Sequence, residues 1–321
     1  MRRLPLAALG TLGAAGLGAA LACRGDLRAA QSRLDAPPVP VRRLDTDRAT
    51  IEYADLGSGP AVLVLHGNGG GWDQGLEWAG RRLGKGHRVL AVSRFGYLGS
   101  TVPPSASTGD QADVLAELLD ELGIDRVDVV TLSAGSAAGL QFAIRHPARV
   151  RSLVLEAPAV PSRAPKVPPA PVLRALLRAE FPFWLLTRYP PLVAPMVGAS
   201  WHRLPAEDKR ELAEIMGTTL PMRPRVDGVL FDSHVAIPEV CAGRVDWDAV
   251  RAPTLVITAQ DSIVPRPADA AALVDRLPDA RLLTLASGGH TLLGNVAELR
   301  RVYADFLTAE PSLRPAGWPT G

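Results

Sequence analysis

Only two cysteines, Cys23 and Cys241, occur in 321 residues, so no disulfide framework staples this chain. It lacks a charge imbalance as well: 35 Lys and Arg stand against 33 Asp and Glu, with both signs scattered throughout. That excludes the basic footprint of a nucleic-acid binder. No two of the six histidines show metal-ligand spacing, so no metal site is expected. The glycine-rich run Gly67-Asn68-Gly69-Gly70-Gly71 has no Lys-Ser/Thr after it and is not a Walker loop. No cofactor is implied, and no segment recurs at a fixed period.

What is there begins at the N-terminus, where Arg2-Arg3 precede an uncharged stretch from Leu4 to Ala22 built from Leu, Ala and Gly. At about 19 residues it exceeds an ordinary signal core and reaches the lower limit for spanning a bilayer. Three readings place the domain at or beyond a membrane. Ala20-Leu21-Ala22 fits a small-x-small cleavage site; Cys23 resembles the lipid-bearing cysteine of a bacterial lipoprotein; the whole stretch can stay as an uncleaved anchor. The remaining reading makes it an apolar helix of the folded protein. Residues 1–22 are thus expected to be a signal or anchor, and residues 23–40, charged and then proline-rich, a linker.

From Val41 onward, apolar runs alternate with helical patterns. Thr50–Leu56, Ala61–Leu65, Val89–Val92, Val127–Leu132 and Ser152–Leu155 read as strands, with helices near Leu76–Leu83 and Gln111–Leu122 between them. Unbroken apolar strands joined by helices indicate an α/β fold with a mostly parallel sheet covered on both faces. After Ala157 the alternation stops. Residues 158–250 are rich in proline and apolar side chains, and a structureless connection of that length is improbable inside a domain. They read as a largely helical insertion. Strands at Thr254–Thr258 and Arg281–Leu285 and a helix at Glu298–Leu307 complete a core of residues 41–157 and 251–309, ahead of a tail at 310–321.

Thr131-Leu132-Ser133-Ala134-Gly135 puts a serine where a buried strand breaks straight into a helix of small residues. On such a turn the hydroxyl is exposed at the sheet's rim, in the geometry of an activated nucleophile. Ser136 lies a helical turn further on and should point elsewhere. With a His-Gly turn at His66-Gly67, an acid in Asp261-Ser262-Ile263-Val264-Pro265 and His290 after the last strand, the chain resembles the α/β-hydrolase family from about Val41 to Leu307. It departs from that family's Gly-x-Ser-x-Gly at Thr131, where glycine is usual.

The resemblance implies a triad in which Ser133 attacks, His290 takes its proton and Asp261 orients the imidazole; Glu156, after the next strand, is the alternative acid. It implies an oxyanion hole from the backbone N–H groups of Asn68 and Ala134. The insertion would form a lid whose aromatic residues, Phe183 and Trp184 among them, line an apolar pocket together with Trp72, or else form the lid's own core. A serine hydrolase acting on an ester or amide of a largely apolar small molecule is the expected function. The alternatives are a non-ester member of the fold (C–C bond hydrolase, haloperoxidase, aminopeptidase) and a binding or sensing protein without efficient turnover. The sequence leaves the oligomeric state open.

Overall fold

A computed structural model describes residues 6–160, 166–242 and 245–308, and the side chains of residues 6–15 and Met196 are also outside that description. Helix α1 (Leu6–Asp35) leads through residues 36–40 to an edge strand β1 (Val41–Asp45) and then β2 (Thr50–Gly57), β3 (Ala61–Leu65), α2 (Trp72–Arg82), β4 (Arg88–Ser93) and α3 (Thr108–Glu121). The serine stretch follows as β5 (Val127–Leu132) and α4 (Gly135–Arg145), then β6 (Val150–Glu156). Helices α5 (Ala170–Arg178), α6 (Phe181–Arg188), α7 (Pro190–Val193), α8 (Ala206–Gly217), α9 (Val226–Phe231) and α10 (Ile237–Cys241) form the insertion. The chain then resumes with β7 (Thr254–Ala259), α11 (Pro267–Val274), β8 (Ala280–Leu285) and α12 (Val296–Thr308).

The eight strands lie in the order β1-β2-β4-β3-β5-β6-β7-β8. β2 runs antiparallel to both its neighbours and the other pairings are parallel. β3 and β7 are buried along their whole length, as strands covered on both faces must be. One face packs on α3, α4 and α11, the other on α2 and α12. β1 was not foreseen as a strand: Val-Arg-Arg-Leu-Asp shows only a short apolar alternation, and its mostly exposed charged residues suit a sheet edge.

Residues 23–35 correct the linker expectation. They continue α1, because Cys23, Leu27 and Ala30 recur on one side of it and pack against Trp184 and Leu220 of the insertion. Trp184 Nε1 donates to Asp26 at 2.8 Å. Only residues 36–40 remain between helix and sheet. Cys23 is buried in this contact, as an interior residue of the helix. Among the described residues no helix is long and apolar enough to cross a membrane; Arg2, Arg3, most side chains of the expected anchor and the tail at 310–321 lie outside them.

Thr131, the departure at the serine turn, is accommodated by what surrounds it. Its Oγ1 donates to the Val154 carbonyl at 3.2 Å and meets Ser136 Oγ at 3.1 Å. A Cβ placed on Gly139 of α4 would sit 2.2 Å from the Thr131 methyl, and one on Gly135 would sit 2.3 Å from the Leu65 carbonyl oxygen. α4 therefore lies on β5 and β3 at a distance that only glycine permits at these two positions. Gly139→Ala should lower stability by about 1–3 kcal/mol through overpacking. Adding Thr131→Ser, which keeps the hydroxyl and removes the methyl, should recover more than half of that loss in a denaturant titration; strictly additive effects would show that the two residues do not share the space.

Candidate active site

The end of β5 delivers Ser133 with φ +49°, a left-handed conformation that a non-glycine residue holds only when its surroundings force it. They do. Ser133 N–H donates to the Glu156 carbonyl at 3.0 Å, its own carbonyl accepts from Ser136 and Ala159, and Gly135 is wedged beneath Leu65 and His66. Ser136 is fully buried and bonded to Thr131, facing away from the rim as expected.

His290 follows β8 on the turn Gly288-Gly289, and its Nε2 lies 2.9 Å from Ser133 Oγ. Its Nδ1 meets the carbonyl oxygen of Val264. A carbonyl can only accept, so the ring proton belongs on Nδ1, and Nε2 presents a lone pair to the serine O–H. Removal of the ring from water pulls the His290 pKa below the ordinary imidazole value, against opposing pulls from the Val264 carbonyl and the Glu156 charge. The imidazole is therefore neutral, the form a general base needs.

Neither candidate acid touches the ring. Asp261 accepts from the backbone N–H groups of Gly289, at 2.8 Å, and Gly288, at 3.3 Å. It braces the turn that carries His290, where the resemblance led us to expect a bond to Nδ1. Glu156 accepts from Tyr303 O–H at 2.6 Å and Trp78 Nε1 at 3.0 Å, with Arg82 Nε 3.6 Å away.

The turn after β3 runs against the elbow: a Cβ on Gly67 would stand 3.5 Å from Ser133 Cβ. This brings Asn68 and Ala134, the two expected oxyanion donors, to adjoining backbone segments. Two buried arginines that the sequence reading passed over hold this turn. Arg94, at the end of β4, donates to the carbonyls of His66 (2.9 Å) and Gly67 (3.3 Å) and bidentately to Asp232 (2.5 and 2.6 Å). Tyr97 O–H donates to the same carboxylate at 2.5 Å, with Asn68 Oδ1 3.3 Å away. Burial and that carboxylate push the Tyr97 pKa up, which keeps the phenol a donor. From the insertion, Arg225 donates to the Gly70 carbonyl (2.6 Å) and to Asp73 of α2 (2.7 and 3.1 Å). His66 is also buried: Arg94 N–H donates to its Nε2 and Nδ1 faces Gly67 O, so it too is neutral, its pKa lowered well below the ordinary value by burial.

A cavity of about 480 Å³ opens over Ser133 and His290. Its lining includes apolar side chains of the insertion, Val167, Leu173, Leu177 and Phe183, and the polar core residues Gln74, Arg82 and Glu156. Of the three expected pocket residues only Phe183 lines it. Trp72 is buried in the core between the sheet and α2, and Trp184 faces α1; both indoles are taken up by packing that a sequence pattern does not separate from a pocket wall. Among the described residues no cluster of His, Cys, Asp and Glu is disposed to hold a metal.

The comparisons with known proteins agree with this architecture. The family model described as "alpha/beta hydrolase fold" matches residues 60–294, about three quarters of the chain. The protein belongs to the α/β-hydrolase fold family. It is 31% identical to a homoserine O-succinyltransferase of Xanthomonas campestris pv. campestris over 86% of this chain and 85% of that one. It is also 40% identical to the 2-hydroxy-6-oxo-2,4-heptadienoate hydrolase of Pseudomonas putida, over 32% of this chain and 38% of that one. Among solved structures, an α/β-hydrolase fold protein from Nakamurella multipartita superposes with a TM-score of 0.58 at 25% identity, covering 84% of this chain and 99% of the other.

The lowered His290 pKa fixes the sign of the acid limb. His290 stays neutral below the ordinary value of about 6.5, so turnover that uses it as a base should show kcat/KM flat down to pH 6.5 and falling only under it; a midpoint above that value would contradict the geometry. Stability follows the same direction. His66 and His290 bind protons less readily folded than unfolded, so their contribution is complete above about pH 6.5 and declines as the pH drops through the folded values.

Proposed function

We propose that this protein is a serine hydrolase that forms an acyl-enzyme on Ser133 with an ester or amide of a largely apolar small molecule. The observation that carries the reading is the 2.9 Å approach of Ser133 Oγ to His290 Nε2 while Nδ1 faces a carbonyl. As Oγ attacks the substrate carbonyl, its proton passes to His290 Nε2; the N–H groups of Asn68 and Ala134 receive the developing oxyanion; and His290 returns the proton to the leaving group. Water then attacks the acyl-enzyme along the same path. Asp261 is the acid of this proposal, acting through the turn that it braces under His290. Glu156 is the weaker choice: its charge favours the imidazolium, but its oxygens are already engaged by Tyr303, Trp78 and Arg82. The apolar side of the cavity supports an apolar acyl or alkyl group. The uncharged stretch after Arg2-Arg3 supports a place at or beyond a membrane.

A second reading rests on the relative from Xanthomonas campestris, which is named as an acyltransferase. Release of the acyl group to a hydroxyl acceptor would use the same intermediate, and product analysis with and without added alcohols separates the two.

A fluorophosphonate probe should label the folded protein at Ser133, and Ser133→Ala should remove both label and turnover, the latter by on the order of 10⁶-fold. Labelling that survives Ser133→Ala would reject the assignment. With p-nitrophenyl esters of rising chain length, Asp261→Asn should reduce kcat by roughly 10² to 10⁴-fold and Glu156→Gln by much less. The reverse order would move the acid to Glu156.

A further inference from the structure

α5 carries one broad apolar stripe that is covered only in part. Leu173 and Leu177 line the cavity, whereas Val172 and Leu176, about 100° round the same helix, are 51% and 53% exposed. A helix in a folded protein is held by its apolar stripe, and here part of that stripe is left uncovered. The pattern extends beyond α5. Among the described residues eleven large apolar side chains are exposed, and six of them, Val167, Val172, Leu176, Phe181, Tyr189 and Leu192, belong to α5 to α7 and the segments flanking them.

Three further observations say what covers this face. Over residues 166–203 the chain carries Lys166, Arg174, Arg178, Arg188 and Arg203 against the single acid Glu180. Lys166, Arg178, Arg188 and Arg203 are exposed, and Glu180 is turned onto the Arg223 N–H. Next, α1 is fastened to α6 through Trp184, so its apolar portion runs out from this side of the molecule, with Leu17 and Leu21 at 63% and 60% exposure. Finally, Val167 both lines the cavity and is itself exposed, so the apolar face reaches the cavity wall.

We propose that the outer face of α5 to α7 is a membrane-contact surface that lies on an anionic lipid bilayer, with the cavity mouth turned toward the lipid. Apolar side chains enter the boundary between headgroups and acyl chains while the flanking Lys and Arg meet lipid phosphate, as in helices that lie in an interface plane. A substrate dissolved in the bilayer then reaches Ser133 without crossing water. This contact is separate from any hold that the N-terminal segment provides, and it does not depend on the acyl-enzyme reading.

The test uses the full chain in vesicles of phosphatidylcholine with phosphatidylglycerol. A bimane fluorophore is attached through Leu176→Cys in a Cys241→Ser background, Cys23 being buried, and nitroxide-labelled acyl chains serve as quencher. The label at 176 should lose about half of its emission, and one attached through Glu121→Cys, at the opposite end of the sheet, should lose none. Equal, weak quenching at both positions overturns the proposal even if the protein remains on the vesicles. So does a concentration-dependent dimer that Leu176→Glu dissociates while position 176 stays unquenched, since a second copy would then cover the face. In a second arm, Val172→Glu with Leu176→Glu should leave hydrolysis of a soluble short-chain ester unchanged and slow that of a vesicle-borne ester by about tenfold. Unchanged rates on both substrates contradict the proposal. Should the acyl-enzyme reading itself fail, all rates vanish and the quenching pattern remains.

Discussion

Two guanidinium–carboxylate pairs cross between core and insertion in opposite directions, and the turn next to Ser133 hangs between them. Arg94 leaves the core to meet Asp232 of the insertion; Arg225 leaves the insertion to meet Asp73 of the core. Both guanidinium groups are buried, and both also donate to carbonyls of the turn, at His66, Gly67 and Gly70. Two of the turn's N–H groups are engaged as well, Gly67 with Gln74 Oε1 and Gly70 with the Gly67 carbonyl, so the turn is held from both sides of its backbone. A buried pair adds little to stability when intact, yet removing one partner leaves an uncompensated charge and costs about 3–5 kcal/mol. The arrangement therefore fixes geometry more than it adds free energy.

The serine needs similar support. A left-handed Ser133 is stable only because β5, α4 and the loop after β6 leave it no alternative, and α4 comes close enough to do this because Gly135 and Gly139 carry no side chain. The same closeness explains Thr131. Its methyl fills the space over Gly139, and its hydroxyl donates to the Val154 carbonyl while meeting Ser136 Oγ. A residue that looks like a defect in the serine motif is half of a packing pair whose other half is eight positions downstream.

Much of this was legible because strands and elbow are local signals. Apolar runs bounded by Gly and Pro gave seven of the eight strands, and the strand-to-helix break at Ser133 and the glycine turn before His290 marked the two groups that meet. What escaped depended on partners far away in sequence. Residues 23–35 look like a polar linker until Trp184 and Leu220 are there to receive Cys23 and Ala30. Asp261 sits in a recognisable loop, but whether its carboxylate meets a ring nitrogen or backbone amides is a matter of a few ångströms that no spacing encodes. Arg94 and Arg225 gave no signal, since an isolated arginine reads as solvated surface until a buried carboxylate from another element pairs with it.

The crossed pairs also bear on how substrate enters. Swinging the insertion away from the core would separate Arg94 from Asp232 and Arg225 from Asp73 together, each at a cost of several kcal/mol before any gain from hydration. A large lid opening is therefore a poor route to Ser133. The proposed route past Val167 leaves the insertion in place and breaks neither pair. On that proposal the covered and exposed parts of α5's apolar stripe have one explanation: the exposed part meets the lipid and the covered part receives what leaves it.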